Sequence, residues 1–459
     1  MAVPLARLRP LLWDGRAVVL FSLVVAGCIR LPTLFQPLLE AHPFRQTQTA
    51  YTAVLYHRNG IDLLHTPLPV VGPPWEVPFE FPLFQAGGAV LMNLGLAMEP
   101  ALRGLSLACF LASAAVLWQL IARERGPLSA GAGTLFFLFS PFSLLWSRAS
   151  MTEYLATFLG ISFAALALSW GQSGHRQRLA GAIAVGTLAM LVKITTGFIW
   201  IAPALLLVRG RIRDRLPLVA IPLLAGLGWT AWADAIKAGG LITRHLTSSA
   251  LSEWNLGTVA QRIDPATWRA FDRWSMPLGV AGLPAILLVR PRRERPGLLA
   301  WFGLIVIGGP LLFTNLYAVH AYYWAAISPA IAGILGIGFT AALERLPHRW
   351  VVAVATVAIA LALAVRTYVG SAASWSVIYE GVSDPENVLP IASQIREATT
   401  KDDLIFIVGR DWTPAIFLYA DRRGVMLPFF MSAATLDLTG YVKFTCPGWS
   451  GRGRCVPIK

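Results

Sequence analysis

Apolar residues along this chain gather in long, nearly unbroken blocks, with little of the alternation that marks the strands and helices of a soluble fold. Blocks of roughly 17–25 residues are the length needed to cross a bilayer's hydrocarbon as helix. Spans are predicted near 15–35, 103–122, 128–146, 153–170, 178–193, 196–208, 216–236, 276–290, 297–316, 322–341 and 349–367. Basic clusters separate them: Arg123/Arg125, Arg176/Arg178, Arg209/Arg211/Arg213/Arg215, Arg290/Arg292/Arg293/Arg295 and Arg345/Arg349. With about eleven spans, all five clusters lie on the side of the N-terminus, as the positive-inside rule requires of a cytoplasmic face. The apolar block Phe81–Ala97 would reverse every later cluster if it crossed, so it is read as re-entrant or lying along the outer interface.

That topology leaves residues 36–102 as one external loop. Within it, Phe44, Tyr51 and Leu55 oppose Arg45, Gln46 and Gln48, and Gly60 closes the run, which predicts an interfacial amphipathic helix over Phe44–Arg58. The prolines from Pro67 through Pro82 then preclude helix and favour an extended loop. A second external loop, 237–275, carries Trp254, Trp268 and Trp274, residues suited to a membrane interface. From about 370 the pattern changes. Val388–Thr399 and Ala415–Arg422 read as helices, and Leu404–Val408 and Val425–Leu427 as strands. The expectation is an all-α polytopic membrane unit over 1–369 followed by a small external α/β domain over 370–459.

Composition agrees: of 459 residues, 56% are hydrophobic and only 14% charged, against about 25% charged in a soluble domain. The net charge of +14 sits between apolar blocks, where membrane topology accounts for it, so nucleic acid is not a predicted partner. Cys28 and Cys109 fall in apolar spans. Cys446 and Cys455 fall in the tail, where an oxidising compartment permits a disulfide. The run ending Val25-Ala26-Gly27-Cys28 resembles a bacterial lipoprotein cleavage box. It is read as an uncleaved first span, with cleavage the alternative.

Candidate chemistry gathers at external span ends. Ionisable residues beside a bilayer are functional candidates by default. Glu40 is the candidate general base, or a loop acid paired with Arg45. Glu153 is a second site acid that orders the first loop through Arg148 or binds a cation, or it is a helix start favoured by the dipole. Lys193 is a phosphate ligand or a snorkelling lysine. His320, Tyr322 and Tyr323 are phosphate contacts or an interfacial belt. A divalent metal is conceivable on Glu40, His42, Glu76 and Glu80 by ligand type alone. No P-loop, zinc-binding HExxH or GxSxG elbow is present.

In order and sidedness these pieces resemble the GT-C membrane glycosyltransferases: protein O-mannosyltransferases, bacterial aminoarabinose–lipid A transferases and rhizobial lipopolysaccharide sugar transferases. The resemblance rests on Glu40 with Arg45-Gln46-Thr47-Gln48-Thr49-Ala50, Glu80-Phe81-Pro82-Leu83, Arg103, Ser140-Pro141, Ser147-Arg148, Met151-Thr152-Glu153, Lys193 with Thr195, and His320-Ala321-Tyr322-Tyr323. It implies an inverting transfer from a polyprenyl-phosphate sugar to an acceptor hydroxyl on an envelope lipid, glycan or protein. The setting implied is the periplasmic face of a bacterial inner membrane, with the N-terminus cytoplasmic and the tail domain periplasmic. Glu40 would be the base and Glu153 the second acid. Lys193, His320 and Tyr323, with Tyr322, Arg45 and Arg148, would surround the donor phosphate, and His42, Glu76 and Glu80 would lie in the substrate loop. The chain departs from the family in having Glu40-Ala41 where an aspartate, often with a second acid, is usual. A lipid or glycan transporter, or a non-catalytic assembly protein of the same fold, are the competing readings.

Overall fold

The computed structural model describes residues 15–275, 297–345, 384, 386–446 and 455–458. The predicted spans near 276–290 and 349–367 lie outside the described residues, as do Arg290, Arg292, Arg293, Arg295 and Arg349. The first span is helix α1 (Gly15–Arg30). The loop after it forms α2 (Pro43–Asn59) and α3 (Leu83–Asn93). Then come α4 (Met98–Arg125), α5 (Pro127–Phe139), α6 (Glu153–Ser173), α7 (Arg176–Val192), α8 (Ile194–Ile201) and α9 (Ile212–Ala238). After three short helices in the second loop, α10 (Leu298–Leu312) and α11 (Ser328–Arg345) complete the described bundle.

Among the described residues α4, α6 and α9 are long and apolar enough to cross a membrane, and five shorter apolar helices accompany them. At 1.5 Å per residue the 28 residues of α4 rise about 42 Å, more than the hydrocarbon core, whereas the 11 of α3 rise only about 16 Å. Leu94 and Gly95 then end α3 before α4 begins, Gly95 at φ +98°. Small residues let the helices approach: a Cβ at Gly336 of α11 would lie 2.3 Å from the Gly133 nitrogen of α5. Such contacts supply much of the packing where lipid removes the hydrophobic drive between helices.

The tail folds as α12 (Val388–Ala398), β1 (Leu404–Val408), α13 (Ala415–Ala420), β2 (Arg423–Met426), β3 (Tyr441–Thr445) and β4 (Val456–Ile458). Sheet order is β2-β1-β3-β4, with the first three strands parallel and β4 antiparallel. The sequence pattern predicts only the first two strands, and β3 and β4 are additions to it. Cys446 and Cys455 form a disulfide, and Gln394 braces it by bonding both the N–H and the carbonyl of Cys455.

This sheet does not stand apart from the loop over residues 36–102. Met426 N–H donates to the Val70 carbonyl at 2.7 Å and Gly424 N–H to Pro69 at 3.1 Å, so the Pro-rich segment covers the outer edge of β2. Tyr51 donates to the Arg422 carbonyl, the Tyr419 hydroxyl accepts from Leu38 N–H, and Arg58 pairs with Asp421. Leu38, Ala53, Val71, Phe84, Ile391, Ile405 and Phe417 belong to one continuous apolar core. A second core lies among the bundle helices. The first loop and the sheet therefore stabilise each other, which fixes the loop that carries the candidate chemistry.

Candidate active site

The chain leaves α1 through a 3-10 turn and enters α2 at Pro43, whose fixed φ suits a first helical position. Between them Ala41 and His42 take φ +34° and +66°, a left-handed bend without glycine. Such a conformation persists only where its surroundings impose it. Here the Gln46 amide donates to the carbonyls of Glu40 (2.6 Å) and Ala41 (3.1 Å). Gln46 Oε1 also accepts from Ser150 N–H of the loop before α6. The bend points His42 toward the segment before α11.

Glu40, expected as the base, stands just before α2. It is 2% exposed, with Arg103 Nη2 at 2.6 Å and Arg148 Nη1 at 3.1 Å, and both arginines are fully buried. Arg103 also donates to the carbonyls of Gln36, Pro37 and Arg148, and Arg148 to that of Thr33. Arg148, expected at the donor phosphate, is therefore part of a buried Glu40 clamp that ties the end of the first span to α4 and to the loop before α6. Both guanidiniums reach the carboxylate from elements remote in sequence, Arg103 from α4 and Arg148 from the loop before α6.

The remaining polar residues do converge. Lys193 stands in extended backbone where the helix breaks between α7 and α8, and it pairs with Glu153 at the start of α6. Arg45, in the first turn of α2, pairs with Glu80 of the Pro-rich loop and donates to Gln48 at 2.7 Å. Lys193 Nζ lies over the rings of Tyr323 (4.2 Å) and Tyr322 (5.4 Å). Tyr322, Tyr323 and His320 form a stack, and His42 Nε2 meets His320 Nδ1 at 3.2 Å. Two cations, two carboxylates, two imidazoles and two phenols thus share one partly buried wall.

Its electrostatics follow from burial among cations. Burial, reinforced by Arg45, lowers the His42 imidazole to about 4. Burial, with His42, Arg45 and Lys193 adding to it, lowers His320 to about 3. Both are neutral at pH 7 and so can donate or accept hydrogen bonds without adding charge. Burial alone would raise the Glu80 carboxyl, but Arg45 and Lys193 outweigh it and hold it below the usual carboxylate range. Open space adjoins the group. A cavity of about 360 Å³ is lined by Glu253, Trp254, Thr258, Gln261 and Asn315, and Trp254 lies 5.9 Å from His320.

The four residues considered for a metal are not brought together. Glu40 is held by Arg103 and Arg148, His42 meets His320, Glu76 pairs with His65 at 3.0 Å, and Glu80 pairs with Arg45. Among the described residues no group of three or more His, Cys, Asp or Glu is placed to hold a metal ion. Glu76, on the far side of the Pro-rich loop, also stands outside the cluster.

No family model and no curated protein matches the sequence. Solved structures do match. Across 94% of this chain and 93% of the other, the architecture is similar to that of ArnT from Cupriavidus metallidurans bound to undecaprenyl phosphate, at TM-score 0.67 and 16% identity. The chain has the GT-C fold. The same fold relates it to the Archaeoglobus fulgidus oligosaccharyltransferase in its apo form, at TM-score 0.56 and 12% identity over 91% of this chain and 65% of the other. The archaeal AglB in complex with an inhibitory peptide and a dolichol-phosphate matches at TM-score 0.52 and 13% identity, over 91% and 65%. In this GT-C chain the first loop, the break before α8 and the segment before α11 are the elements that build the pocket wall.

Proposed function

We propose that this chain is an inverting glycosyltransferase that moves a sugar from a polyprenyl-phosphate donor to an acceptor hydroxyl at the periplasmic face of a bacterial inner membrane. The observation that carries the reading is the pair of exchangeable ion pairs, Arg45–Glu80 and Lys193–Glu153, in one wall with His42, His320, Tyr322 and Tyr323. An arriving lipid phosphate competes for both cations, and engaging them loosens both carboxylates.

The donor is a phosphodiester with one negative charge, and the released lipid phosphate carries nearly two. Lys193 and Arg45 therefore hold the leaving group more tightly in the transition state than in the ground state, which is the condition for catalysis. Neutral His320 and His42 add hydrogen bonds to the phosphate oxygens. In the transfer, the acceptor oxygen forms its bond to the anomeric carbon as the bond from that carbon to the phosphate oxygen breaks, and the bonding pair leaves with the phosphate. The acceptor's proton passes to Glu80, the more exposed of the two loosened acids, and the absence of a covalent step gives inversion. The cavity beside His320 supports a place for the donor's sugar, and the acceptor would approach from the Glu80 side. Glu153 stays the positioning partner of Lys193. Glu40 keeps the loop in shape.

The test is purified protein in lipid nanodiscs, given a panel of polyprenyl-phosphate sugars and hydroxyl acceptors, with the product's anomeric configuration read by NMR. Sugar transfer with inverted configuration is expected. Translocation of intact lipid without any transferred sugar would instead establish the transporter reading.

A further inference from the structure

The carboxyl edge of the small sheet has features that the transfer chemistry does not use. Loops leave it after β1 (Gly409 to Thr413), after β2 (Leu427 to Met431) and after β3 at Cys446, and the N-terminus of antiparallel α12 points to the same edge. The connection from β1 runs to β2 on one side, while β3 leads to β4 on the other. In open parallel sheets, ligands sit outside the strand ends at such a divergence.

Three observations at this edge point to a ligand. Arg410 is 1% exposed, and its Nη1 donates to the Glu386 carbonyl at 2.9 Å, but its Nε and Nη2 have no hydrogen-bond partner among the described residues. A buried guanidinium with two idle donors is costly unless something supplies acceptors. Phe429 and Phe430 are 64% and 53% exposed, with Phe429 fixed by its N–H to Asp411. The adjacent Trp412 packs edge-on to Phe44 at 4.6 Å and lies 6.0 Å from Phe79. Those rings directly precede Arg45 and Glu80, so the edge opens beside the acceptor side of the pocket.

The chemistry of the edge narrows the ligand. Asp384 and Glu386 act on the one guanidinium and Asp411 follows it in sequence, so an anionic group would meet more negative than positive charge. Asp384 is also committed to capping α12 through Val388 and Leu389. Burial raises the Glu386 carboxyl to about 7 and raises Asp411 as well, leaving both only weakly compensated. Hydroxyl groups, which accept from a guanidinium and donate to carboxylates, suit this mixture, and exposed aromatic rings suit the C–H face of a pyranose. We propose that this edge is a saccharide-binding site that presents an acceptor glycan's hydroxyl to Glu80. The inference rests on the glycosyl-transfer reading and names its acceptor class.

The test uses full-length protein in nanodiscs without donor, and reads binding of fluorescently labelled neutral hexose oligosaccharides, free in one arm and lipid-linked in the other. Saturable binding in either arm is expected, and the arm that binds identifies the source. Arg410→Met is expected to weaken binding by roughly tenfold or more. Phe429→Ala with Phe430→Ala, a change on exposed side chains that keeps the proposal testable if Arg410→Met misfolds, is expected to weaken it by about three- to tenfold. In turnover assays both variants should raise the acceptor KM and leave the donor KM unchanged. No saturable binding in either arm, affinity unchanged by the aromatic substitutions, or binding of a Ser/Thr peptide in place of glycan would overturn the site. A protein that binds glycan at this edge yet transfers no sugar would overturn the transfer reading alone.

Discussion

Replacing Glu40 by glutamine separates a scaffold from a base. In the folded protein one carboxylate faces two guanidiniums, all three side chains essentially buried. The substitution removes the carboxylate that faces Arg103 and Arg148 and raises the charge of this trio from one positive to two. Breaking a buried ion pair from one side costs about 3–5 kcal/mol, because the abandoned charge stays buried. The carbonyls of Thr33, Gln36, Pro37 and Arg148 still solvate the guanidiniums, so the lower part of that range is expected. At about 2 °C per kcal/mol for a large chain, the unfolding midpoint should fall by about 5 °C or more. Differential scanning fluorimetry in nanodiscs reads this directly. Combining Glu40→Gln with Arg103→Met should return part of the loss, since the second change removes one stranded charge. Per folded molecule, transfer should fall by less than about tenfold, as expected for a positioning residue. A Glu40→Gln protein of unchanged stability whose transfer fell by about 10²–10⁴-fold would refute the argument and restore Glu40 as the base.

Three further outcomes are expected. Lys193→Gln should lower kcat by about 10²-fold or more with a higher donor KM, checked by steady-state kinetics over donor concentration, whereas a merely snorkelling lysine would tolerate the change. His42 and His320 are held at about 4 and 3 when folded but titrate near 6.5 when unfolded; stability is therefore full above pH 6.5 and declines as pH falls from 6.5 toward 4, and His42→Asn should flatten that decline in midpoint-versus-pH measurements. Reduction of Cys446–Cys455 should cost about 2–3 kcal/mol of small-domain stability, and thiol titration of the native protein should find neither cysteine reactive.

The parts of this molecule legible in its sequence are those governed by local pattern. Long apolar runs predict the bundle, Pro43 and Gly60 bracket α2 by their backbone preferences, and residues 404–408 read as a strand because five apolar and β-branched residues stand between turn signals. Lys193 and Glu153 are visible as charges at span ends, although nothing local says that they face each other across 40 residues. The Glu40 clamp is illegible for the same reason at greater range: Arg103 and Arg148 lie 63 and 108 positions away, and an acid beside Arg45 in sequence looks like its partner. In space Arg45 turns instead to Glu80. Strand β3 is not legible because its five residues run straight into Cys446, Pro447 and Gly448 in sequence, and only pairing with β1 makes it a strand. Arg410 is legible only once the sheet closes around it.

The central claim is that Glu80 takes the acceptor's proton while Arg45 and Lys193 hold the departing phosphate. The direct measurement compares wild type with Glu80→Gln in nanodiscs, recording donor affinity and single-turnover sugar transfer on the same preparations. Transfer should fall by about 10²–10⁴-fold with donor affinity unchanged or tighter, since glutamine releases Arg45 to the phosphate. Near-normal transfer by Glu80→Gln, or a loss explained wholly by weakened donor binding, would contradict the account.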